Sequence, residues 1–344
     1  MARVTVRDLG YTPGLLPPGP TNSLLDIPGL GISQLTLPTL PSSHPSPPTS
    51  TATKGCTLIL PRPVANMHSP CHAGYALLNG NGELTGANQI QDWGEYGTPV
   101  VGETADWLVN SGRALPFSRL SEADVAGAFE NVRTREEGGV VAEGACGGGA
   151  GMTCHQFLGG TGTASRIVGG GGGGGKEYTL AVLVQSNYGH LRDLQIGGVP
   201  VGKILQKEKD AKSVAAGVEE DRGADVHAPT PQDPLGRNSV GSYGVGRTHS
   251  GDLFLAVSTA EHPSEHLEGV GIRHLNATQT YSVEVVKNES IDPYFYAVAE
   301  ATEEAILNSL VGSRDGCVST DGTKIPGLPV DKVKELLRKH LVTV

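Results

Sequence analysis

The chain has 344 residues, of which 26 are lysine or arginine and 36 are aspartate or glutamate, so its formal net charge is −10. An acidic balance of this size argues against nucleic acid or an anionic membrane as the main partner. The 49 glycines are about twice the share of an ordinary chain, which is roughly 7%. They indicate many tight turns and close backbone approaches.

The five cysteines predict neither a disulfide framework nor a metal site. Their number is odd, their density is low, and no Cys-x-x-Cys pair occurs. We therefore expect no metal and no organic cofactor. The N-terminal residues contain no apolar run of signal-peptide length, and no stretch approaches the ~18 apolar residues of a membrane span. From the sequence, a cytoplasmic location is the expectation.

The first half of the chain predicts a loop, a strand, a turn and a helix, in that order. Residues 38–54 are rich in proline and serine and are expected to form a flexible loop. The apolar run CTLILP that follows predicts a short strand, and the NGNG run predicts a turn between two strand-like segments. A helix is predicted from Leu120 to Arg133, with Ser121 as its N-cap.

The second half predicts two strands and two helices around a polar loop. Residues Tyr178–Val184 predict a buried strand, and YSVEVV predicts a later one. Residues 207–240 are charged and broken by prolines, so we expect a surface loop. Helices are predicted at Asp292–Val311 and Val330–Leu341. Strands on both sides of a glycine-rich centre, with helices late in the chain, indicate a layered α+β fold.

Two glycine-rich runs resemble phosphate- or anion-binding loops. Gly170–Lys176 matches G-x-x-x-x-G-K, but Glu177 stands where a phosphate loop needs serine or threonine, so nucleotide binding is not expected. The run EGACGGGAGM has two readings. Its amides could form an anion-binding nest, or the glycines could allow close packing of a loop on a sheet.

Two polar residues next to predicted strands are candidates for catalysis. Asn187 follows a buried strand and could donate its amide hydrogens to an oxyanion, although these residues alone favour a turn residue. Ser250 precedes an apolar run and could simply cap it. Alternatively, cleavage before Ser250 would free an α-amine that serves as the base for its own hydroxyl.

Seven pieces, in order over nearly the whole chain, together resemble the DmpA-type peptidases, family S58, which include β-peptidyl aminopeptidases and an L-aminopeptidase/D-amidase. The pieces are RDLG, NGNGELTG, EGACGGGAGMTCHQFLGGTGTASR, YTLAVLVQSNYG, IGGVPVG, SGDLFLAVSTA and ATEEAILNSLV. The resemblance implies one domain over residues 1–344 with an αββα sandwich like that of N-terminal nucleophile hydrolases. It also implies self-cleavage at His249–Ser250 into an α chain of residues 1–249 and a β chain of residues 250–344.

The resemblance also implies roles for individual residues. Ser250 would be the nucleophile, Asn187 the oxyanion donor and Glu103 the carboxylate near the substrate amine. Thr302 and Glu304 would supply a hydroxyl and a carboxylate beside the nucleophile, although residues two apart on a helix diverge by ~200°. The implied substrate is a small peptide, amide or ester that loses its N-terminal amino acid. The implied assembly is a homo-oligomer, a tetramer of processed protomers.

The chain departs from the family pattern at several points. Relative to that pattern, a segment is missing after Val100, and a hydrophobic strand is reduced to a vestige near Val226. In addition, His249 replaces a small residue and Ala105 replaces a tyrosine. Because a missing core strand leaves backbone groups unpaired, the alternative reading is an inactive or truncated relative with a binding or scaffold role.

Overall fold

A computed structural model describes ten segments of the chain. They are residues 3–37, 54–66, 69–78, 82–97, 99–104, 120–170, 175–215, 252–260, 282–318 and 324–342. The predicted cleavage pair His249–Ser250 lies outside these residues, as do most of the predicted loop 38–54 and residues 216–240.

Twelve strands and five α-helices form the described part of the fold. The strands are β1 (Gly31–Leu37), β2 (Lys54–Leu60), β3 (Cys71–Leu77), β4 (Glu95–Tyr96), β5 (Val100–Thr104), β6 (Thr153–Cys154), β7 (Phe157–Leu158), β8 (Gly160–Gly169), β9 (Glu177–Ser186), β10 (Leu253–Ser258), β11 (Cys317–Val318) and β12 (Lys324–Ile325). The helices are α1 (Ala87–Trp93), α2 (Glu122–Glu130), α3 (Val201–Ala215), α4 (Asp292–Gly312) and α5 (Val330–His340).

The outer helix α2 packs on one face of the β1–β2–β5 sheet. Antiparallel pairing places β2 between β1 and β5. Leu58 and Leu60 of β2 are buried against Ala128 of α2. The predicted N-cap forms, because the Ser121 hydroxyl accepts from the Asp124 amide and Asp124 bonds back to Ser121.

The opposite face of this sheet packs on the β8–β9 hairpin. Alternate residues of a strand face opposite sides, so Ile59 of β2 joins Ile32 of β1 on the face away from α2. These side chains pack with Ala181 and Leu183 of β9 in one apolar cluster.

Helix α4 covers the other face of β8–β9. Leu180 and Val182 of β9 pack with Ala301 and Ala305 of α4. The order of layers is therefore α2, the β1–β2–β5 sheet, the β8–β9 hairpin and α4. This arrangement is an α+β sandwich with the predicted αββα order.

The glycine run after Ala145 packs closely between the sheets. The amide of Gly147 donates to the Thr36 hydroxyl, and the amide of Gly148 donates to the Thr57 hydroxyl. A Cβ on Gly148 would lie 2.2 Å from the carbonyl oxygen of Gly102. Of the two readings, close packing explains the run, because side chains of the protein already occupy these amides.

Most predicted helices and strands are confirmed. The strand at CTLILP lies within β2, and the strand Tyr178–Val184 lies within β9. Helix α4 matches the prediction for Asp292–Val311 to within one residue. Helix α5 does the same for Val330–Leu341.

Four predictions of local structure were wrong. Residues 207–215 of the predicted loop continue helix α3, and Lys54 begins β2. The charged residues were predicted as a loop, but they lie on the solvent face of an amphipathic helix. Ile204 and Leu205 of the same helix pack on the core. Residues 282–287 form no strand, although their apolar and polar residues alternate. The second strand expected after the NGNG turn is also absent, since residues 82–84 are irregular and lead into α1.

None of the helices in the described segments combines the length and the apolar character needed to cross a bilayer.

Gly162→Ala should destabilise the protein because β8 and α4 touch at this point. A Cβ on Gly162 would lie 1.8 Å from the carbonyl oxygen of Ala305, so helix and strand must separate. We expect a loss of about 1–3 kcal/mol in the free energy of unfolding, measured by chemical denaturation. Gly127→Ala in α2 is the control. Its Cβ would meet no atom within 4 Å, and it should gain about 0.5–1 kcal/mol. Equal effects of the two variants would contradict the packing described.

Candidate active site

The predicted site residues lie on three elements of the sandwich. Asn187 directly follows β9, Thr302 and Glu304 lie on α4, and Glu103 lies in β5 opposite Cys56. Ser250 lies outside the described residues, three positions before β10 begins. The described segments thus include every predicted site residue except Ser250 and its neighbour His249.

Asn187 is held by its side-chain carbonyl. Its Oδ1 accepts a hydrogen bond of 3.1 Å from the amide of Thr153 in β6. An amide group has one acceptor end and one donor end. The bond from Thr153 therefore fixes the orientation of the side chain and leaves Nδ2 as the end that can donate to a ligand.

Charges from helix α4 and from the residue before β10 act on the turn that carries Asn187. Burial is the main cause that raises the pKa of the Tyr188 phenol, and the charges of Cys154, Asp252 and Glu303 raise it further. Asp252 directly precedes β10, and Glu303 lies next to Thr302. The chain is therefore within electrostatic range of Tyr188 two residues after Ser250.

Strand β5 approaches the same end of β9 through its backbone. A Cβ on Gly102 would lie 2.6 Å from Nε2 of Gln185, so a larger residue here would require the Gln185 side chain to move. Gln185 precedes Asn187 by two residues, and Glu103 follows Gly102. The backbone of Glu103 is therefore close to the end of β9.

Glu304 is the centre of a buried ion-pair cluster. The side chain of Glu304 is completely buried. Its carboxylate accepts from Nε of Arg7 at 2.5 Å and Nη2 of Arg7 at 2.7 Å. It also accepts from Nδ2 of Asn22 at 2.6 Å and Nη2 of Arg166 at 2.8 Å. Four donors fill the usual acceptor positions of a carboxylate, so Glu304 could take up a proton only if one of these bonds broke.

The neighbouring carboxylates Glu303 and Glu304 are in opposite electrostatic environments. Burial alone would raise the pKa of Glu304, but the hydrogen bond from Arg7 and the charges of Arg166 and Arg7 hold it below its usual value. Burial raises the pKa of Glu303, and the bond that it accepts from the Tyr11 hydroxyl at 2.7 Å only partly offsets this effect. Thr302, on another side of the helix, is partly exposed.

Sequence reasoning missed the residues that surround Glu304. Arg7 lies in RDLG and Arg166 in GTASR, two of the pieces that carry the family resemblance. A signal was present, because Arg166 is the one charged residue in the stretch from Gly159 to Gly170. A buried arginine requires a partner, but the sequence does not say which carboxylate it meets.

Known proteins resemble the chain over nearly its whole length. A family model for peptidase family S58 matches residues 22–101 and 95–323. The β-peptidyl aminopeptidase BapA of Sphingosinicella microcystinivorans is 30% identical over 389 aligned positions, which cover 97% of this chain and 92% of that protein. A solved β-aminopeptidase of Burkholderia sp. has a TM-score of 0.73 at 30% identity and covers 99% of this chain and 100% of its own.

A third relative connects the fold to a known group of hydrolases. The L-aminopeptidase D-Ala-esterase/amidase of Ochrobactrum anthropi has a TM-score of 0.70 at 28% identity and covers 98% of each chain. It is a prototype for the serine aminopeptidases and a variant of the N-terminal nucleophile hydrolase fold. The fold and its relatives therefore define a hydrolase of peptide bonds.

The chain belongs to peptidase family S58. The predicted family and the predicted likeness to N-terminal nucleophile hydrolases are confirmed. The alignment with BapA spans 389 positions, more than the 344 residues of this chain, so that relative contains segments that this chain lacks. The two family matches meet at residues 95–101, in keeping with the break predicted after Val100.

Glu304→Gln and Glu303→Gln should have opposite effects on stability. The first removes the completely buried charge that pairs with both Arg7 and Arg166, leaving Arg166 with Glu300 alone, and should cost about 3–5 kcal/mol at neutral pH. The second removes a charge that burial disfavours, so stability at neutral pH should stay the same or rise. Chemical denaturation of both variants measures the difference.

The pH dependence of the two variants provides a second check. The pKa of Glu304 is lowered by folding, so its contribution is present at neutral pH and is lost as pH falls through the folded value. The deficit of Glu304→Gln should therefore shrink in acid. A deficit that stays constant down to the acid transition would contradict the ion-pair account.

Proposed function

We propose that the chain is an autoprocessed serine aminopeptidase that releases N-terminal amino acids from small peptides, amides or esters. The cut falls at His249–Ser250, and Ser250 becomes both the new N-terminus and the nucleophile. The observation that carries the proposal is the fixed amide of Asn187, whose acceptor end is held by Thr153 so that Nδ2 is the end left to donate. Family membership supports the same reaction class.

The proposed chemistry needs only groups of the chain itself. The freed α-amine of Ser250 has an unperturbed pKa of about 7.7–8.0, so it can accept the hydroxyl proton near neutral pH. Oγ of Ser250 then attacks the substrate carbonyl, and the same amine passes the proton to the leaving amine. A water molecule, deprotonated in turn, releases the amino acid from the acyl-enzyme.

Asn187 supplies the oxyanion donor in this scheme. Donors that are already oriented stabilise the developing charge without reorganisation, and the bond from Thr153 provides that orientation. Glu103 binds the ammonium group of the substrate, because a carboxylate is its natural partner.

Thr302 and Glu304 have different parts in the proposal. Thr302 is partly exposed and can face the nucleophile. The four bonds to Glu304 favour a role in holding α4 in place, and direct action on Ser250 stays a prediction. The tetrameric assembly implied by the family also stays a prediction, which light scattering of the purified protein would check.

A second candidate is an inactive relative with a binding or scaffold role. The observation in its favour is that BapA contains segments without a counterpart in this chain. Chain cleavage distinguishes the two candidate functions, because an inactive relative stays a single chain whereas the enzyme cuts itself into two.

Ser250→Ala should abolish both chain cleavage and hydrolysis. Denaturing gels and mass spectrometry of the unmodified protein should show two fragments, the second beginning at Ser250. Ser258→Ala at the end of β10 is the control and should still be cleaved, since Ser258 lies on an exposed position of the strand. A chain that stays intact and hydrolyses no amino-acid amide would reject the enzyme and favour the scaffold.

Asn187→Ala should lower kcat by about 10²–10³, the usual cost of losing one oxyanion donor. Chromogenic anilides of β-alanine, L-alanine and D-alanine are suitable substrates, because the names of the relatives cover β-peptides, L-amino acids and D-alanine derivatives. Asn187→Asp separates the two functions of the side chain. It can still accept from Thr153 but cannot donate, and it should be as impaired as Asn187→Ala. Full activity of Asn187→Asp would exclude the donor role.

A further inference from the structure

The β6–β7 hairpin contains an unusual turn next to Asn187. His155 and Gln156 connect the two strands, and both have left-handed backbones, with φ of 50° and 65°. Tight hairpin turns of this kind prefer asparagine and glycine. Side chains in this conformation cost of order 1–3 kcal/mol each, and such strain often marks a functional site.

His155 is bonded to the turn that carries Asn187. Its backbone amide donates to the carbonyl of Tyr188 at 2.7 Å. Its ring nitrogen Nδ1 lies 2.9 Å from the carbonyl oxygen of His190. A carbonyl can only accept, so Nδ1 carries the proton. The preceding bond from Thr153 to Asn187 completes a set of three anchors between the hairpin and residues 187–190.

The His155 ring also fills the space beneath this turn. It is 2% exposed and meets the Tyr188 ring edge-on, with centroids 5.1 Å apart. A Cβ on Gly189, whose φ is 85°, would lie 2.6 Å from Nδ1. Glycine at this position therefore lets the turn close directly over the imidazole.

The ring is held in its neutral form. Within the described residues, Nε2 of His155 has no hydrogen-bond partner, so a second proton there would be buried and unpaired. Burial is the main cause that lowers the pKa of His155, although the His190 carbonyl and the charge of Asp193 act in the opposite direction. The titratable groups around the ring are Asp193, His190, Tyr188 and Cys154.

We infer that His155 is a positioning residue that fixes the turn 187–190 and thereby aims the Asn187 amide at the oxyanion. The inference rests on the proposed function, because it requires Asn187 to act on a substrate. His155 itself touches no reacting atom in this account. It supplies the bond to His190 and the packing beneath Gly189 that keep Asn187 in one orientation.

A double-mutant cycle tests the inference on the processed full-length protein. His155→Phe keeps a ring but removes the donor to His190, and should lower kcat roughly 10- to 100-fold, because small misplacement of a catalytic group is costly. KM should change by less than about threefold. In the Asn187→Ala background the same change should alter kcat by less than about threefold, because its target is already gone.

The outcomes separate the inference from the proposed function. An equal loss of kcat in both backgrounds would overturn the positioning role and leave the aminopeptidase intact. An Asn187→Ala variant with normal kcat, or a wild-type chain without activity, would reject both.

If His155→Phe does not fold, a second pair of variants tests the same positioning role. Gly189→Ala pushes a methyl group into the imidazole, whereas Gly198→Ala has a similar backbone, with φ of 78°, and meets no atom within 4 Å. Both carry the backbone strain of a left-handed alanine, so the imidazole contact is the difference between them. We expect kcat to fall about tenfold or more in Gly189→Ala and to stay unchanged in Gly198→Ala. Equal turnover rates in the two variants would overturn the inference.

Discussion

The ion-pair cluster around Glu304 is the interaction on which the layered structure depends. Glu300, Glu304 and Asn308 lie four residues apart and form a polar stripe on α4. The stripe bonds the amides of Leu15 and Leu16, the Arg7 and Arg166 guanidinium groups, and the Val6 amide. Buried ion pairs contribute little net stability compared with apolar packing, but breaking one is costly. The cluster therefore specifies one register of α4 on β8 and one path of the N-terminal segment.

The position of Asn187 depends indirectly on this register of α4. The apolar side of α4 and the closeness permitted by Gly162 hold the helix against β8–β9, whose last residues lead into the Asn187 turn. The β6–β7 hairpin then fixes that turn from the other side. The Asn187 amide is thus held by two rigid supports rather than by a loop alone, and the proposed oxyanion role requires such preorganisation.

Patterning predicted the long helices and the buried strands well, because their apolar periods extend over many residues. The C-terminal part of α3 was predicted as a loop because its charged residues are typical of loops as well as of the solvent face of a helix. The YSVEVV alternation lacked a partner in the described residues, and a strand needs a neighbour to satisfy its backbone. Asn187 could be proposed as an oxyanion donor from the sequence because it directly follows a strand, and that role stays a prediction. The partners of Glu304 could not, since Arg7 and Arg166 come close to it only through the fold.

The polar stripe of α4 also joins the two halves that the proposed cut would create. Arg7, Arg166 and the β8–β9 hairpin belong to the segment before Ser250, whereas α4 belongs to the segment after it. A processed protein would stay assembled, since separating the halves would expose charges that now neutralise one another. Its unfolding would become dissociation, however, and its recovery would depend on protein concentration. The intact precursor would refold as one molecule, whereas the processed protein would have to reassemble from two fragments, so processing would turn a unimolecular folding equilibrium into a bimolecular one.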